Sequence, residues 1–322
     1  MVVENPERSR RVENPERLVP SVYPERSRGA VEESRGVEVP VSRILQFRNK
    51  TYPLGKKTYL MAVLNITPDS FFDGGRFFDF DAAYRRTQEA ALQGADFLDI
   101  GGQSSRPGSE PVAENEELKR TLPLIEKLVK ENYPLPISID TYRSSIAEKA
   151  LDAGAQLVND ISGLQFDAQM PELIARRNCP VVIMHIKGTP KTMQQNPHYE
   201  DVVEEVYQYF QERTKSAQKS GIKPENIILD VGIGFGKRCE DNLKLLYYHS
   251  RFKELGFPLL LGVSRKSFIG KVLADRPAEG RLVGSLAAAA WGALSGADII
   301  RAHDLAETAD LLKILAAIQN AS

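Results

Sequence analysis

From about Ile44 to the end of the chain, short apolar runs alternate with longer amphipathic segments. Eight runs stand out, at 59–64, 96–100, 137–139, 156–158, 181–184, 227–229, 259–263 and 298–300. Each is too short for a helix and is mostly apolar, with Ser138 and Asp99 as interior exceptions and Asp or Gln opening three of them, the pattern of a strand buried on both faces of a parallel sheet. Between them lie stretches with helical spacing, such as 82–93, 116–130, 144–153, 202–219 and 242–255, several closed by Gly or Asn just past the end. Strand and helix in alternation predict an α/β fold, and eight units in about 260 residues fit a closed (β/α)8 TIM barrel. Ahead of the first run, Ile44-Leu-Gln-Phe-Arg48 and a turn rich in Asn, Lys, Pro and Gly predict an N-terminal hairpin.

The polar residues that interrupt this pattern fall at one kind of place. Asn65 follows the first run, Gly101-Gly-Gln103-Ser104-Ser105-Arg106 the second, Asp140 the third, and Asn159-Asp160 the fourth. His185 follows the fifth, Asp230 the sixth, Ser264-Arg265-Lys266 the seventh, and Arg301 with His303 the eighth. The rival architecture, an open doubly wound sheet, would bring together only the strand ends near its switch point. A closed barrel gathers all eight C-terminal ends at the face where active sites of this fold lie. One Asn or Asp after a strand is usually a cap or turn former; eight polar ends out of eight argue for a site.

Residues 1–42 break the pattern. They hold Val-Glu-Asn-Pro-Glu-Arg at 3–8 and again at 12–17, then Tyr23-Pro-Glu-Arg26, with Ser-Arg-Gly at 27–29 and 34–36. With few residues to build a core, this low-complexity tail is expected to be disordered and dispensable, leaving 43–322 as the catalytic domain. The repeat is too short and irregular for a solenoid.

Composition narrows the partners. Lys and Arg total 42 against 43 Asp and Glu, a net charge of −1, so neither nucleic acid nor a membrane surface is an expected partner. There is no apolar run of transmembrane length and no signal-peptide order at the start. Two isolated cysteines, Cys179 and Cys239, fit a reducing cytoplasm and offer no disulfide framework.

The ring of strand ends contains two carboxylates, Asp140 and Asp230, and a cationic set of Arg106, Arg265, Lys266, Arg301 and His303. That mixture suits a substrate with a neutral hydrogen-bonding heterocycle at one end and an anion at the other. Gly232-Ile-Gly234-Phe-Gly236-Lys237 follows a strand, but its G-x-G-x-G spacing lacks the dinucleotide register, and the P-loop motif is absent. Four scattered His and two Cys give no transition-metal signature. Mg2+ shared with substrate phosphates would leave almost none.

Seven segments in order resemble the dihydropteroate synthase family over residues 60–303. They are Leu64-Asn-Ile-Thr-Pro-Asp-Ser-Phe71 with Asp73-Gly-Gly; Asp99-Ile-Gly-Gly-Gln-Ser-Ser-Arg-Pro-Gly108; Ile139-Asp-Thr141; Val158-Asn-Asp-Ile161; Met184-His-Ile-Lys-Gly-Thr-Pro190 with Thr192-Met-Gln194; Asp230-Val-Gly-Ile-Gly-Phe-Gly-Lys237; and Ser264-Arg-Lys-Ser267 before Arg301-Ala-His-Asp304. The resemblance implies a transferase of folate biosynthesis. In its reaction the 4-amino group of aminobenzoate displaces diphosphate from 6-hydroxymethyl-7,8-dihydropterin diphosphate, giving 7,8-dihydropteroate.

Carried over by position, Asp140, Asn159, Asp230 and Lys266 would surround the pterin, with Met184 in its apolar wall. Asn65, Arg301 and His303 would hold diphosphate, Asn65 also being associated with Mg2+. Aminobenzoate would lie near Ser105, Pro107, Phe235, Lys266 and Ser267, under mobile loops carrying Phe71 and Arg106. Asp140, Lys266 and Arg106 would be the catalytic residues, with no nucleophilic side chain. The resemblance also implies a homodimer through the late helices and a sulfonamide target. Gln103, Ser105, Val231 and Ala302 depart from residues common in the family (Glu, Thr, Pro and Val). Ser105 bears more on inhibitor sensitivity than on catalysis.

Two other functions fit parts of the pattern. A corrinoid-dependent methyltransferase on the same barrel would share Asp140, Asn159 and Asp230 but have no use for Ser264-Arg-Lys-Ser267 with Arg301-Ala-His303. A silent pterin-binding module would be expected to lack charges that this ring retains. Among single residues, Asp160 reads as a turn brace and His185 as a structural histidine. His198 and His249 read as surface residues, and Trp291 as part of a helix packed tightly on the barrel.

Overall fold

The computed structural model describes residues 44–47, 50–55, 57–67, 72–73, 77–78 and 80–321. The tail expected over 1–42, Phe71 and the Gly74-Gly75 turn lie outside the described residues. Strands β1 (Ile44–Phe47) and β2 (Lys50–Pro53) form the expected antiparallel hairpin. Strand β3 (Tyr59–Asn65) opens the barrel, and β4 (Phe72–Asp73) pairs with β5 (Phe77–Phe78) in the loop that follows. The remaining barrel strands are β6 (Phe97–Gly101), β7 (Ile137–Asp140), β8 (Leu157–Asp160), β9 (Val181–Met184), β10 (Ile227–Asp230), β11 (Leu259–Gly262) and β12 (Ile299–Ala302). They pair in chain order, all parallel, and β12 closes on β3. The connections carry α1 (Phe80–Leu92), α2 (Glu114–Lys130), α3 (Ser144–Ala153), α4 (Met170–Arg177), α5 (Val202–Lys219), α6 (Cys239–Tyr247), α7 (Ser267–Val272), α8 (Leu282–Leu294) and α9 (Leu305–Gln319).

Alternation along each strand sorts its side chains between two cores. Leu98 and Ile100 of β6 face the helices with Ile137, Ile139, Val181 and Ile183. Phe97 faces inward with Met61, Leu157, Val182, Ile228, Leu260 and Ile299, so the lower interior is filled with apolar side chains. Leu45, Phe47 and Leu54 belong to the same inner cluster. Tyr52 lies 4.7 Å from the Phe97 ring, and the Tyr59 hydroxyl donates to Pro53 O at 2.8 Å. The hairpin therefore plugs the N-terminal end of the barrel.

Three expectations change. The segment 242–255 is not one helix: α6 ends at Tyr247 and a 3-10 helix spans His249–Leu255, closed by Gly256 at φ 83°. His249 is completely buried rather than superficial. Trp291 is 45% exposed, because α8 meets the barrel through its smallest residues: Ser285, Ala289 and Gly292 are buried, and a Cβ on Gly292 would lie 2.1 Å from a methyl of Leu261.

Candidate active site at the barrel mouth

Strand register sets the polar residues in one row. Asn65 pairs with Gly101, Gly101 with Asp140, Asp140 with Asn159, and on the other side Met184 with Asp230. Each stands at or next to the C-terminal end of its strand, two positions beyond an inward apolar residue where the pattern is regular, as in Leu157 to Asn159, Ile228 to Asp230 and Ile299 to Arg301. Side chains with that spacing share a face, so the polar layer rests on the apolar one. Gly101 keeps the floor open: a Cβ there would lie 3.5 Å from Asn65 Oδ1 and 3.6 Å from Asp140 Oδ2.

Charge is concentrated in this layer and mostly paired. The Arg301 guanidinium donates from Nε to Asp99 Oδ2 and from Nη2 to Asp140 Oδ2, both at 2.7 Å. Burial pushes the Asp140 carboxyl up to about 7, against the pull of Arg301 and with help from Asp99 and Glu117. Burial also raises Asp230, whose Oδ1 accepts from Gly232 N at 2.8 Å, leaving its other oxygen for a ligand. Lys266 lies with its Nζ 4.1 Å from the centre of the Phe235 ring, and burial brings it down to about 8. Phe235, Met184, Ile161 and Met193 form a small apolar wall beside these groups.

His303 differs from its expected role as a cation. Burial, then Arg301 and Lys266, hold it down to about 4, so it is neutral at physiological pH. Its backbone N–H donates to Ser264 Oγ, and that oxygen lies 3.2 Å from His303 Nδ1. The contact runs in either direction according to the tautomer; with the Ser264 hydroxyl donating to Nδ1, Nε2 carries the ring proton and is a donor. Arg265 leaves the ring altogether: at φ 55° it turns away to make two-nitrogen contact with Asp304 and to donate to Ala278 O. The loop after β6 holds Ser105, half-buried, and Arg106 and Pro107, both exposed. It is tied down by Gly108 N donating to Pro190 O at 2.9 Å, and the charge of Arg106 reaches His303. Ser267 is exposed at the start of α7.

Asp160 braces its turn as expected, accepting from Ser162 N and Leu164 N. His185 is structural: its Nδ1 lies 2.8 Å from Lys237 Nζ, and burial followed by that lysine keeps it neutral. Three buried charges were not singled out from sequence. Asp99 is fully enclosed beneath the ring. Glu117, in the first turn of α2, accepts from Thr141 Oγ1 and Arg143 Nη1 at 2.8 and 2.7 Å, tying the start of α2 to the loop that follows β7. Lys237 donates to the carbonyls of Gly232 and Phe235, clasping the loop that carries Phe235. Asp99 and Lys237 carried a signal, since each is a charge inside a run that is otherwise apolar or glycine.

Among the described residues no three His, Cys, Asp or Glu side chains converge as a metal site, and no helix is long and apolar enough to cross a membrane. Asn65 Oδ1 accepts no hydrogen bond from the described residues, which fits a cation that takes one protein oxygen and completes its shell with water and phosphate.

The family model for pterin-binding enzymes matches residues 61–303, nearly the whole barrel. The dihydropteroate synthase of Synechocystis sp. is 46% identical over 264 residues, 82% of this chain and 91% of that one. The structure of the Xanthomonas albilineans dihydropteroate synthase with 4-aminobenzoic acid superimposes with a TM-score of 0.80 at 39% identity, covering 87% of this chain and 99% of that one. The same enzyme in complex with 7,8-dihydropteroate gives 0.77 at 38% identity, covering 86% and 98%. With a closed eight-stranded barrel, a polar layer at its C-terminal mouth and these relatives, the chain belongs to the pterin-binding enzyme family, among the dihydropteroate synthases.

Proposed function

We propose that the barrel mouth joins a dihydropterin diphosphate to 4-aminobenzoate with the following division of labour. Asp140, Asn159 and Asp230 hold the pterin against Met184. Asn65, Arg301 and His303 receive the diphosphate, and Ser105, Pro107, Phe235 and Ser267 flank the aminobenzoate. Lys266 lies between the two rings, and Arg106 closes over the leaving group. The observation that carries this reading is the layered ring itself, in which the buried carboxylates Asp140 and Asp230 and the amide of Asn159 share one layer with two cations, Arg301 tied to Asp99 and Asp140 and Lys266 over the Phe235 ring. A pterin edge presents adjacent donors, which the open oxygen of Asp230 accepts.

Diphosphate leaves with the bonding electron pair, and the electron-rich pterin shares the positive charge left on the methylene. The amine nitrogen then bonds to that carbon and gives up a proton to water or to the released diphosphate. No covalent enzyme intermediate is needed. Two Arg301 nitrogens are fixed by carboxylates, so the remaining Nη1 is aimed without reorganisation, and neutral His303 adds a hydrogen bond from Nε2. Such fixed donors act most strongly on charge that grows in the transition state. Mg2+ held at Asn65 would neutralise part of the diphosphate charge.

The proposed assembly is a homodimer in the cytoplasm. Leu243, Tyr247, Phe268, Ala288 and Trp291 line an open apolar groove of 490 Å3 between α6, α7 and α8. Val283 and Leu294, on the same helix as Trp291, are 75% and 60% exposed. Trp291→Glu should convert the sedimenting species to a monomer. The reaction is tested by diphosphate release from the pterin diphosphate, with and without aminobenzoate. Release that depends on the amine and yields dihydropteroate supports the reading, whereas pterin binding without turnover supports a silent module.

A further inference from the structure

An asparagine side chain offers an acceptor on one side and a donor on the other in nearly the same shape, so a site that uses one must fix which faces the ligand. Asn159 is fixed from below. Its Nδ2 lies 2.9 Å from Asp99 Oδ2, an oxygen that also accepts from Arg301 Nε at 2.7 Å. An oxygen already taking the guanidinium proton can meet only a donor from Asn159, so the amide nitrogen points down and Oδ1 is left for the cavity. Asp99 is completely enclosed, and its other oxygen, Oδ1, has no hydrogen-bond partner among the described residues. Every polar contact of the carboxylate is therefore concentrated in one oxygen, which orients two residues of the site at once.

We propose that Asp99 is a positioning residue of the pterin site: it turns the carbonyl oxygen of Asn159 toward the substrate and sets the edge that Arg301 presents to the mouth. This rests on the reading that Asn159 touches the pterin. It assigns the recognised edge a polarity, since the pterin must donate to Asn159 as well as to Asp230.

The test is calorimetric titration with 6-hydroxymethyl-7,8-dihydropterin, which lacks diphosphate and so isolates the pterin contacts. Asp99→Leu removes the acceptor and is expected to weaken binding about 10–100-fold, the range for a buried amide that loses its partner. Asp99→Asn, whose amide oxygen takes the same two hydrogen bonds while its nitrogen occupies the unpartnered position, recovers at least about tenfold of that loss. In an Asn159→Ala background Asp99→Leu costs less than about threefold, because the residue through which it acts is gone. Should Asp99→Leu not fold, Asn159→Asp serves. It keeps an acceptor toward the cavity but sets a second carboxyl against Asp99, where only a shared proton can stand in for the amide donor, so binding, measured at about pH 9 where that proton is lost, falls about 30-fold or more relative to wild type at the same pH. Costs of Asp99→Leu and Asn159→Ala that simply add, no rescue by Asp99→Asn, or unimpaired binding by Asn159→Asp overturns the role of Asp99. Wild-type protein that does not bind the pterin overturns the underlying site reading instead.

Discussion

Alanine substitutions at the three glycines of Gly232-Ile-Gly-Phe-Gly236 are expected to separate loop architecture from Lys266 placement. All three have positive φ, at 67°, 84° and 64°, so alanine costs about 1–2 kcal/mol at each from backbone conformation alone. The surroundings then differ. A Cβ on Gly232 would lie 2.0 Å from His185 O, and one on Gly236 2.3 Å from Lys187 O. Both obstacles are backbone at the exit of β9 and cannot yield without moving the strand end, so each substitution is expected to cost on the order of 4 kcal/mol or more. A Cβ on Gly234 would instead lie 3.2 Å from Lys266 Cδ, part of a flexible side chain. There the stability cost stays near the backbone value, about 2–8 °C in melting temperature at about 2–4 °C per kcal/mol for a large domain. Lys266 is displaced, however, and turnover falls about tenfold or more, the sensitivity expected of a group shifted by a fraction of an ångström to an ångström. Thermal melting and amine-dependent diphosphate release measure the two effects. Gly232→Ala or Gly236→Ala melting with Gly234→Ala, or Gly234→Ala turning over normally, would refute the reasoning.

Other expectations follow from the same geometry. Lys266→Ala should lower turnover about 100-fold or more, as for loss of one donor to developing charge, while Lys127→Ala on the surface of α2 is nearly silent in the same assay. The pH profile of kcat/KM should rise as Asp140 ionises around 7 and fall as Lys266 loses its proton around 8. Folding linkage has the corresponding sign: because burial raises the Asp140 carboxyl, its contribution to stability is present below the ordinary aspartate range and is lost as pH rises through about 7. Asp140→Asn should therefore flatten the decline in melting temperature between about pH 5 and pH 8, and an unchanged decline counts against the assignment. Asn65→Ala should raise the Mg2+ concentration needed for half-maximal rate while leaving pterin affinity intact, read by titrating the metal into chelator-treated protein.

The barrel was legible because strands buried on both faces are continuous apolar runs, and all eight fall within one or two residues of their expected limits. The ring was legible because charges are rare at strand ends unless they are used or paired. What failed depends on neighbours distant in sequence. Arg265 looked like its neighbour Lys266, but its partner Asp304 lies 39 residues away. His303 was expected to carry charge until burial beside Arg301 and Lys266 made it neutral. Helix α8 is apolar on every side, so its sequence could not indicate that small Gly292, rather than large Trp291, meets Leu261. The phase of residues 249–255 was also obscure, since a 3-10 turn and an α-turn share much of their apolar spacing.

Among the described residues, the hairpin beneath the barrel closes its base and leaves the mouth as the way in. Leu45, Phe47 and Leu54 seal the base, so traffic to and from the polar layer passes the rim where Arg106, Pro107 and Ser267 are exposed. Asp140, Asn159 and Asp230 are 9%, 4% and 7% exposed, at the bottom of that passage. A molecule that settles on them must arrive before anything that occupies the rim, and must wait for the rim to clear before it departs. A plug that only completes an apolar core thus sets an order of passage: under the proposed placement of the substrates, the pterin would enter first and the joined product, spanning both levels, would leave through the same mouth.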